Sequence, residues 1–419
     1  MVQISMSNYP ICKLRTMSYG WARWDRGASM VKRWLPLLGA ALIGVSQGAW
    51  ALVMNVTLDY DQDRDHVATQ SAFNELAARI GKSLGQPVRL VMTQNTERVG
   101  EEVRQGGYDI LLAPAQIVGL AMRHGYVPVA RTEAEARIVL VTDKSSGVRT
   151  FEQAKGHSVA LPNPESLVSY MVKGELNAQG LSIGGYFGPV TYVNRYGAVL
   201  YALDIGQAEI GAVKEGPAKD WLVRHPGALV IKAYDPVPLA GVVVSGKLDE
   251  AMRDKVGRAF VGLGADMAGR LAKSGMGAFD QADSADFTKV STRGFYTPEV
   301  LPGATIVTAE QARRLMAQGV PLYDVRPDSH YREGHIKGAR HVPYEINSPK
   351  EPDYDDSVDK FNLAKLPQDK GAPMIFQCNG AECWYSYKAA RYMLKRGYKQ
   401  VYWFRTGLPA WKAAGYPVE

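Results

Sequence analysis

From residue 52 onward the chain alternates between short apolar runs and amphipathic stretches. Strand-like runs lie at residues 54–58, 88–92 and 108–112, and helical patterns of apolar positions separate them. This alternation predicts βαβ units with mostly parallel sheets, which places the chain in the α/β class. Residues 138–141 and 241–244 are continuously apolar, which is typical of strands buried on both faces.

The stretch before residue 52 has a different pattern. Residues 30–51 begin with Lys32 and Arg33, continue with a short apolar run and end in Ala49-Trp50-Ala51. This is the pattern of a cleavable secretory signal peptide, so we expect export to the periplasm, with residues 1–29 as an over-extended N-terminus. Residues 1–51 carry +5 of the formal net charge of +7. The basic composition therefore gives no indication of nucleic-acid binding.

A short linker divides the remaining chain into two predicted domains. Residues 295–302 contain Pro298 and Pro302, which suit a short and fairly stiff connection. We therefore expect an N-terminal domain at 52–294 and a C-terminal domain at 303–419. Thr308 and Gln311 have the spacing of a capping box, which predicts a helix start just after the linker.

Cys378 follows a short strand-like run at 374–377, of which the first three residues are apolar, and precedes a loop and a helical pattern from about Ser386. Such a loop is expected to turn backbone N–H groups inward at the positive end of the helix dipole. That environment favours a thiolate and binds an anion beside it. A sulfur nucleophile next to an anion site is the arrangement that sulfur transfer needs.

Further motifs flank this loop. They are Asp324-Val325-Arg326 at a strand end, Gly-His-Ile-Lys-Gly-Ala at 334–339, and a closing helix that runs from Gly407 to Trp411. Together with Cys378, they resemble the rhodanese (sulfurtransferase) domain over residues 303–419. The resemblance implies a rhodanese-like α/β domain with a central parallel sheet, in which Cys378 accepts sulfane sulfur as a persulfide.

The loop departs from the usual rhodanese pattern in length and composition. Ser386 lies eight residues after Cys378, Tyr385 stands where the family has an arginine, and Cys383 is a second cysteine inside the loop. Without the loop guanidinium, the bidentate donor for a thiosulfate-like anion is missing. This departure puts ordinary thiosulfate activity in doubt.

Cys378 and Cys383 are the candidate catalytic residues. Cys383 is either a resolving thiol, half of a structural disulfide, or an inert thiol packed beside Trp384. In an oxidising compartment two nearby thiols tend to pair. The candidate substrate-binding residues of this domain are Gly380, Glu382, Arg326 and Arg405, the last as a substitute for the missing arginine.

Three stretches of the N-terminal domain, 107–116, 156–166 and 208–213, resemble exported solute-binding proteins of the phosphonate/phosphite type. The resemblance implies a type II periplasmic-binding-protein fold with a ligand cleft between two lobes. Lobe 1 is expected at about 52–141 and 241–294, and lobe 2 at about 142–240. A membrane partner of the ABC transporter class is also implied.

One helix start supports an anion site in this cleft from the residues themselves. Asn163 is a plausible N-cap with Pro164 at the first helical position, and Ser166 and Ser169 follow on one side. Free N–H groups and hydroxyls at a helix start bind anions. The alternative is a well-capped surface helix. Gln116 is expected to donate from the opposite lobe, and Tyr60 and Tyr196 are weaker candidates for the cleft wall.

The leading hypothesis is an exported sulfur-handling protein. Its N-terminal domain captures a small anionic or sulfur-containing ligand, and Cys378 passes sulfane sulfur to a thiol acceptor or redox partner protein. The alternative is a binding or sensing protein without turnover, whose C-terminal domain is an inactive docking or disulfide-switch module. We expect no cofactor, and no metal because the histidines lack ligand spacing.

Overall fold

The computed structural model describes residues 51–59, 65–292 and 297–419. Residues 1–29 and nearly all of the predicted signal peptide at 30–51 lie outside the described residues, as does Tyr60. Within the described part, no helix has the length and apolar character needed to cross a membrane.

The N-terminal domain is built from thirteen named strands and ten named helices within the described residues. The strands are β1 (Leu52–Thr57), β2 (Val88–Thr93), β3 (Ile110–Pro114), β4 (Tyr126–Thr132), β5 (Glu135–Ala136), β6 (Ile138–Thr142), β7 (Val159–Pro162), β8 (Val190–Val193), β9 (Ile210–Lys214), β10 (Leu229–Ala233), β11 (Val237–Pro238), β12 (Ala240–Ser245) and β13 (Phe279–Gln281). The helices are α1 (His66–Leu84), α2 (Thr96–Gln105), α3 (Ala115–Arg123), α4 (Leu167–Ala178), α5 (Ile183–Tyr186), α6 (Tyr196–Asp204), α7 (Glu215–Arg224), α8 (Glu250–Val261), α9 (Ala265–Ala272) and α10 (Thr288–Ser291).

Two sheets form two lobes with the same strand plan. The lobe 1 sheet has the order β13-β4-β12-β3-β1-β2, and the lobe 2 sheet has the order β10-β6-β9-β7-β8. Strands β1, β2 and β3 in lobe 1 and β7, β8 and β9 in lobe 2 are parallel neighbours. The strand that enters from the other lobe, β12 in lobe 1 and β6 in lobe 2, is antiparallel to both of its neighbours. In lobe 1 the edge strand β13 also pairs antiparallel with β4. The prediction of a two-lobed α/β domain of type II is confirmed.

The chain crosses between the lobes through two adjacent segments. The short strands β5 and β11 pair antiparallel at this crossing. Strands β6 and β12, which continue from them, are buried along their whole length, as their apolar sequences predict. They are buried on both faces because they sit inside their sheets with helices packed on either side.

The C-terminal domain is a smaller α/β unit. Its strands are β14 (Ala304–Ile306), β15 (Leu322–Asp324), β16 (Arg340–His341), β17 (Tyr344–Glu345), β18 (Lys360–Phe361), β19 (Met374–Gln377) and β20 (Val401–Phe404). Its helices are α11 (Ala309–Ala317), α12 (Asp328–Arg332), α13 (Trp384–Lys395) and α14 (Gly407–Ala413). The main sheet has the order β14-β20-β19-β15-β16 and is parallel throughout, which confirms the predicted central parallel sheet.

Two predicted helix starts have different outcomes. The capping box of Thr308 and Gln311 is present at the start of α11. The prediction that Asn163 caps the next lobe 2 helix is wrong, because α4 begins at Leu167 and its N-cap is Ser166, whose side chain accepts from Ser169 N–H. Asn163 lies in the turn that precedes α4, where its side chain accepts a hydrogen bond from Glu165 N–H.

Candidate functional site

The cysteine loop lies at the carboxyl edge of the C-terminal sheet. Cys378 directly follows β19, the central strand, and is fully buried. The neighbouring strands β15 and β20 are parallel to β19 and end at the same edge. Arg326 and Arg405, which follow those strands, therefore lie close to the loop, as the carboxyl ends of parallel strands require.

Cys378 and Cys383 form a disulfide, with their Cα atoms 6.2 Å apart. Cys383 is the N-cap residue of α13 and is partly exposed, whereas Cys378 is enclosed. An incoming thiol therefore reaches the sulfur of Cys383 more readily than that of Cys378.

A short chain of hydrogen bonds ends on the sulfur of Cys378. The Ser386 Oγ lies 3.0 Å from Cys378 Sγ, and Trp403 Nε1 donates to the same Oγ at 3.0 Å. The indole N–H can only donate, so it uses a lone pair of the hydroxyl and leaves the hydroxyl hydrogen to point at the sulfur. Opening the disulfide at Cys383 would place the resulting charge on Cys378 beside this donor.

The predicted cradle of backbone N–H groups around the sulfur stays a prediction, since the described contacts of Cys378 Sγ are with other groups. The backbone atom nearest the sulfur in the hydrogen-bonding pattern is an acceptor, the carbonyl oxygen of Cys383 at 3.0 Å. The donor comes instead from the Ser386 side chain in the first turn of α13. In the disulfide form, Cys378 Sγ thus contacts the Ser386 hydroxyl and the Cys383 carbonyl oxygen.

Three further contacts hold the loop in place. Leu408 N–H donates to the carbonyl of Cys378 at 3.0 Å, and Gly407, at φ +50°, packs so tightly that a β-carbon would overlap that oxygen. The backbone and hydroxyl of Thr297 both donate to the carbonyl of Ala381, at 2.9 and 2.7 Å. Gly380 takes φ +109°, a conformation that favours glycine.

Arg326 supports the loop from beneath. It is 2 % exposed and makes a bidentate pair with Asp324 (2.9 and 2.7 Å), while it also donates to Gly334 O at 2.8 Å and to Asn379 Oδ1 at 3.0 Å. The Arg326 guanidinium thus makes its hydrogen bonds to groups within the protein. In this arrangement Arg326 positions the residue after Cys378.

Arg405 also makes internal hydrogen bonds, in this case to the linker. It donates to the carbonyls of Pro298 and Thr297, both at 2.9 Å. Burial lowers the pKa of Arg405, with partial compensation from Glu299. It thereby fixes Thr297, which in turn holds the loop at Ala381.

Glu382 points away from its own domain and meets three basic side chains of lobe 1. Its carboxylate lies 3.3 Å from His124 Nε2, 3.4 Å from Arg123 Nη1 and 3.9 Å from Arg104 Nε. Its side chain is 17 % exposed. The cysteine loop is therefore docked on the N-terminal domain at the end of α3 and α2.

The three predicted anion ligands of the N-terminal domain meet at the start of α4. Ser166 caps the helix, Ser169 Oγ donates to Pro162 O at 2.9 Å, and Gln116 Nε2 donates across the cleft to Glu165 O at 3.1 Å. All three are buried, and Gln116 Oε1 accepts no hydrogen bond from the described residues. The two serine hydroxyls are thus engaged with the backbone.

An internal carboxylate lies at this helix start. Asp59 Oδ1 accepts from Leu167 N–H at 3.4 Å, and Asp59 Oδ2 lies 3.1 Å from both Lys214 Nζ and Tyr196 Oη. Asp59 belongs to lobe 1 and its three partners to lobe 2, so these contacts tie the lobes together. The cavity beside Asp59, Pro114 and Lys214 measures only about 20 Å³, room for about one water molecule.

Sequence reasoning missed several of these residues. Arg104, Arg123 and His124 carry no local motif and come together only where two domains touch. Asp59 comes two residues after β1, and Lys214 is the last residue of β9. These strand ends are the signal that could have found both residues, because ligands of α/β sheets bind at the carboxyl ends of strands. Among the described residues, no group of three His, Cys, Asp or Glu side chains is placed to hold a metal ion.

Replacing Gly407 by alanine should displace the Cys378 carbonyl. Gly415 is the matched control, since it also has a positive φ (+70°) but nothing lies within 4 Å of an added β-carbon. We expect Gly415→Ala to cost about 1 kcal/mol of unfolding free energy from backbone strain alone. Gly407→Ala should cost roughly 1–3 kcal/mol more from steric overlap. Equal losses in chemical denaturation would show that the loop does not depend on this contact.

Acidification should weaken the ion pairs of Glu382. Burial raises the pKa of this carboxyl, but the His124 hydrogen bond and the charge of Arg123 outweigh it, so the pKa lies below its ordinary 4.5. A carboxyl with a depressed pKa contributes stability above its unfolded pKa and loses it as the pH falls through the folded pKa. Below about pH 4.5 the thermal midpoint of the wild type should therefore fall more steeply than that of Glu382→Gln.

The exposed pair of Glu310 and Arg314, 2.7 Å apart, supplies the control for this pH series. Exposed pairs contribute little, so Glu310→Gln should follow the wild type in calorimetry. A Glu382→Gln profile parallel to the wild type would contradict the assignment.

Comparison with known families identifies both domains. Residues 60–287 match the profile of the family described as "ABC transporter, phosphonate, periplasmic substrate-binding protein", and residues 308–414 match the rhodanese-like domain. The C-terminal domain is 30% identical over 113 residues to thiosulfate sulfurtransferase GlpE of Pseudomonas paraeruginosa (strain PA7), covering 27% of this chain and 87% of the relative. It is also 30% identical over 115 residues to GlpE of Pseudomonas fluorescens (strain SBW25), covering 27% and 88%.

Solved structures similar to the N-terminal domain include PhnD1 of Prochlorococcus marinus in complex with methylphosphonate, with a TM-score of 0.44, 15% identity and coverage of 57% of this chain and 95% of that one. XAC2383 of Xanthomonas citri bound to ATP gives a TM-score of 0.47, 17% identity and coverage of 57% and 95%. The chain belongs to the family of periplasmic substrate-binding proteins of phosphonate ABC transporters, and it carries a rhodanese-like domain at its C-terminal end.

Proposed function

We propose that this chain is an exported sulfur-handling protein in which Cys378 carries sulfane sulfur and Cys383 discharges it. The observation that carries the proposal is the Cys378–Cys383 disulfide beside the Ser386 hydroxyl. The sulfur expected to receive the transferred atom already has a second cysteine within bonding reach. The periplasmic family of the larger domain and the sequence of residues 30–51 support export.

The first step starts from the reduced loop. The Cys378 thiolate, facing the Ser386 hydroxyl, attacks the outer sulfur of a donor such as thiosulfate. A bond forms between Cys378 Sγ and that sulfur, the donor's S–S bond breaks, and sulfite leaves with the bonding electron pair. The product is a persulfide on Cys378.

The second step uses the loop's other cysteine. Cys383, as its thiolate, attacks Cys378 Sγ and forms the disulfide, and hydrosulfide leaves with the electron pair of the broken S–S bond. An external dithiol then reduces the disulfide by two electrons and restores both thiols. The disulfide is thus the oxidised resting form of the cycle, and the thiol or redox partner is its reductant.

The N-terminal domain is proposed to bind a small anion at the start of α4. The ligand's negative charge would take the place of the Asp59 carboxylate against Lys214 and the Leu167 N–H at the start of the helix. Gln116 offers an additional polar group from the opposite lobe. A permease of the ABC transporter class would be the partner of such a domain.

A second candidate function is a binding or sensing protein with a disulfide-switch domain. Full burial of Cys378 and the commitment of Arg326 and Arg405 to internal partners favour it. In this alternative, the disulfide between Cys378 and Cys383 only forms and breaks, and neither cysteine carries a sulfur atom.

Sulfur loading separates the two functions. Protein that has been reduced and freed of reductant is incubated with thiosulfate or polysulfide and weighed intact. We expect a gain of one sulfur atom that maps to Cys378 in Cys383→Ser, and no gain in Cys378→Ser. Sulfide release should require both cysteines. Loss of two hydrogens in the wild type without release of sulfide, together with no sulfur gain in Cys383→Ser, would favour the switch.

Anion binding in the cleft should depend on Lys214 and Asp59 in opposite directions. Lys214→Gln should weaken binding of methylphosphonate or methanesulfonate roughly tenfold, since a charged hydrogen bond is lost. Asp59→Asn should strengthen it, because the competing carboxylate is removed. Isothermal titration calorimetry measures both, with the exposed Arg270→Gln as control. Weaker binding by Asp59→Asn would show that Asp59 contacts the ligand instead of competing with it.

A further inference from the structure

The cysteine loop lacks the arginine expected within it, yet basic side chains do stand next to it. They come from the other domain: Arg104 at the end of α2, Arg123 at the end of α3, and His124 directly after α3. All three converge on Glu382, which is adjacent in sequence to Cys383. Consecutive Cα atoms are about 3.8 Å apart, so the residue that binds this basic cluster is one backbone step from the more accessible of the two sulfurs.

Basic groups outnumber acidic ones in the described contacts of Glu382. Arg104 and Arg123 carry two positive charges against one on Glu382. Burial lowers the pKa of Arg123, Glu382 and Tyr170 raise it, and Arg405 lowers it further, so that the pKa lies at about 10. Glu299 is the acidic group nearest to Arg405. The cluster therefore has the charge and partial enclosure of an anion site.

We propose that Arg104, Arg123 and His124 of the N-terminal domain form the anion subsite of the cysteine loop, and that Glu382 occupies this subsite in the disulfide form. The ligand class is a sulfur oxyanion donor such as thiosulfate. This inference rests on the proposed function, since it names where the donor's charged end binds during transfer to Cys378.

Reduction of the disulfide allows the oxyanion to replace the Glu382 carboxylate. With the bond between Cys378 and Cys383 broken, the segment between them is no longer a covalently closed ring, and the Glu382 side chain can leave its partners. The oxyanion then takes the position of the Glu382 carboxylate, in the residue next to Cys383. As sulfite leaves, its negative charge stays against Arg123 and Arg104, which is the task of the missing loop arginine.

A purely structural clamp between domains would use the same ion pairs, so the test must separate charge from loop access. The reduced full chain is treated with an anionic aromatic disulfide and, separately, with a neutral aromatic disulfide. Modification rates at Cys378 and Cys383 are followed by peptide mass mapping. The ratio of anionic to neutral rates cancels any change in loop exposure.

We expect Glu382→Gln to raise this ratio about fivefold, and Arg123→Gln to lower it about fivefold, the size of one partly screened charge. The exposed pair supplies the controls, since Glu310→Gln and Arg314→Gln should leave the ratio unchanged. Added salt should shrink both effects. A structural clamp would raise both rates in both variants and leave the ratio constant, which would overturn the subsite.

The outcome is independent of sulfur loading. If the ratio shifts as expected but no persulfide forms on Cys378, the anion subsite stands and the proposed sulfur transfer fails. If persulfide forms but the ratio is unchanged in Glu382→Gln and Arg123→Gln, the sulfur transfer stands and the donor's charge is bound elsewhere.

Discussion

Partly buried positive charge that must be neutralised is the constraint on which both candidate sites depend. Lys214 is 15 % exposed in the cleft and Arg123 is 27 % exposed at the cysteine loop. Leaving such a charge unpaired would cost several kcal/mol. In each place the chain supplies its own carboxylate, Asp59 or Glu382. An external anion that bound at either place would have to compete with a side chain for the positive charge.

The disulfide has a different role, because it fixes where the loop can be. Its loop is held on three sides by non-covalent contacts: Leu408 at the Cys378 carbonyl, Thr297 at the Ala381 carbonyl, and lobe 1 at Glu382. The redox state adds or removes the covalent constraint on top of these. Ser386 and Trp403 belong to the core of the domain, so the donor to Cys378 stays in place in either state.

Helix α3 links the two sites physically. Its first turn carries Gln116 at the cleft, and its last residue, Arg123, contacts the cysteine loop. Nine residues of helix separate these ends by about 12 Å. The rhodanese-like domain thus contacts the C-terminal end of α3, and the N-terminal end of the same helix lies at the cleft between the lobes. Lobe 2 also approaches it, since Lys173 of α4 interacts electrostatically with Glu351.

Both folds and the identity of the cysteine loop could be predicted from the sequence. Alternating apolar periodicity sets strand and helix types, and the rhodanese and solute-binding motifs are contiguous in the chain, so each could be read locally. The continuously apolar strands β6 and β12 were predicted as buried for the same reason. The start of α4 was misplaced because Asn163 and Ser166 are both good caps, and only packing against Pro162 and Asp59 selects the second.

The roles of Arg405 and Glu382 depend on the tertiary structure. Both are candidate substrate-binding residues in the sequence, but the fold engages Arg405 with the linker and Glu382 with another domain. Their partners lie more than a hundred residues away, as Glu382 and His124 show. Arg326 differs, since its partner Asp324 belongs to the same short motif. Local pattern carries no information about those distances, because a charge takes whichever opposite charge the packed fold brings within reach.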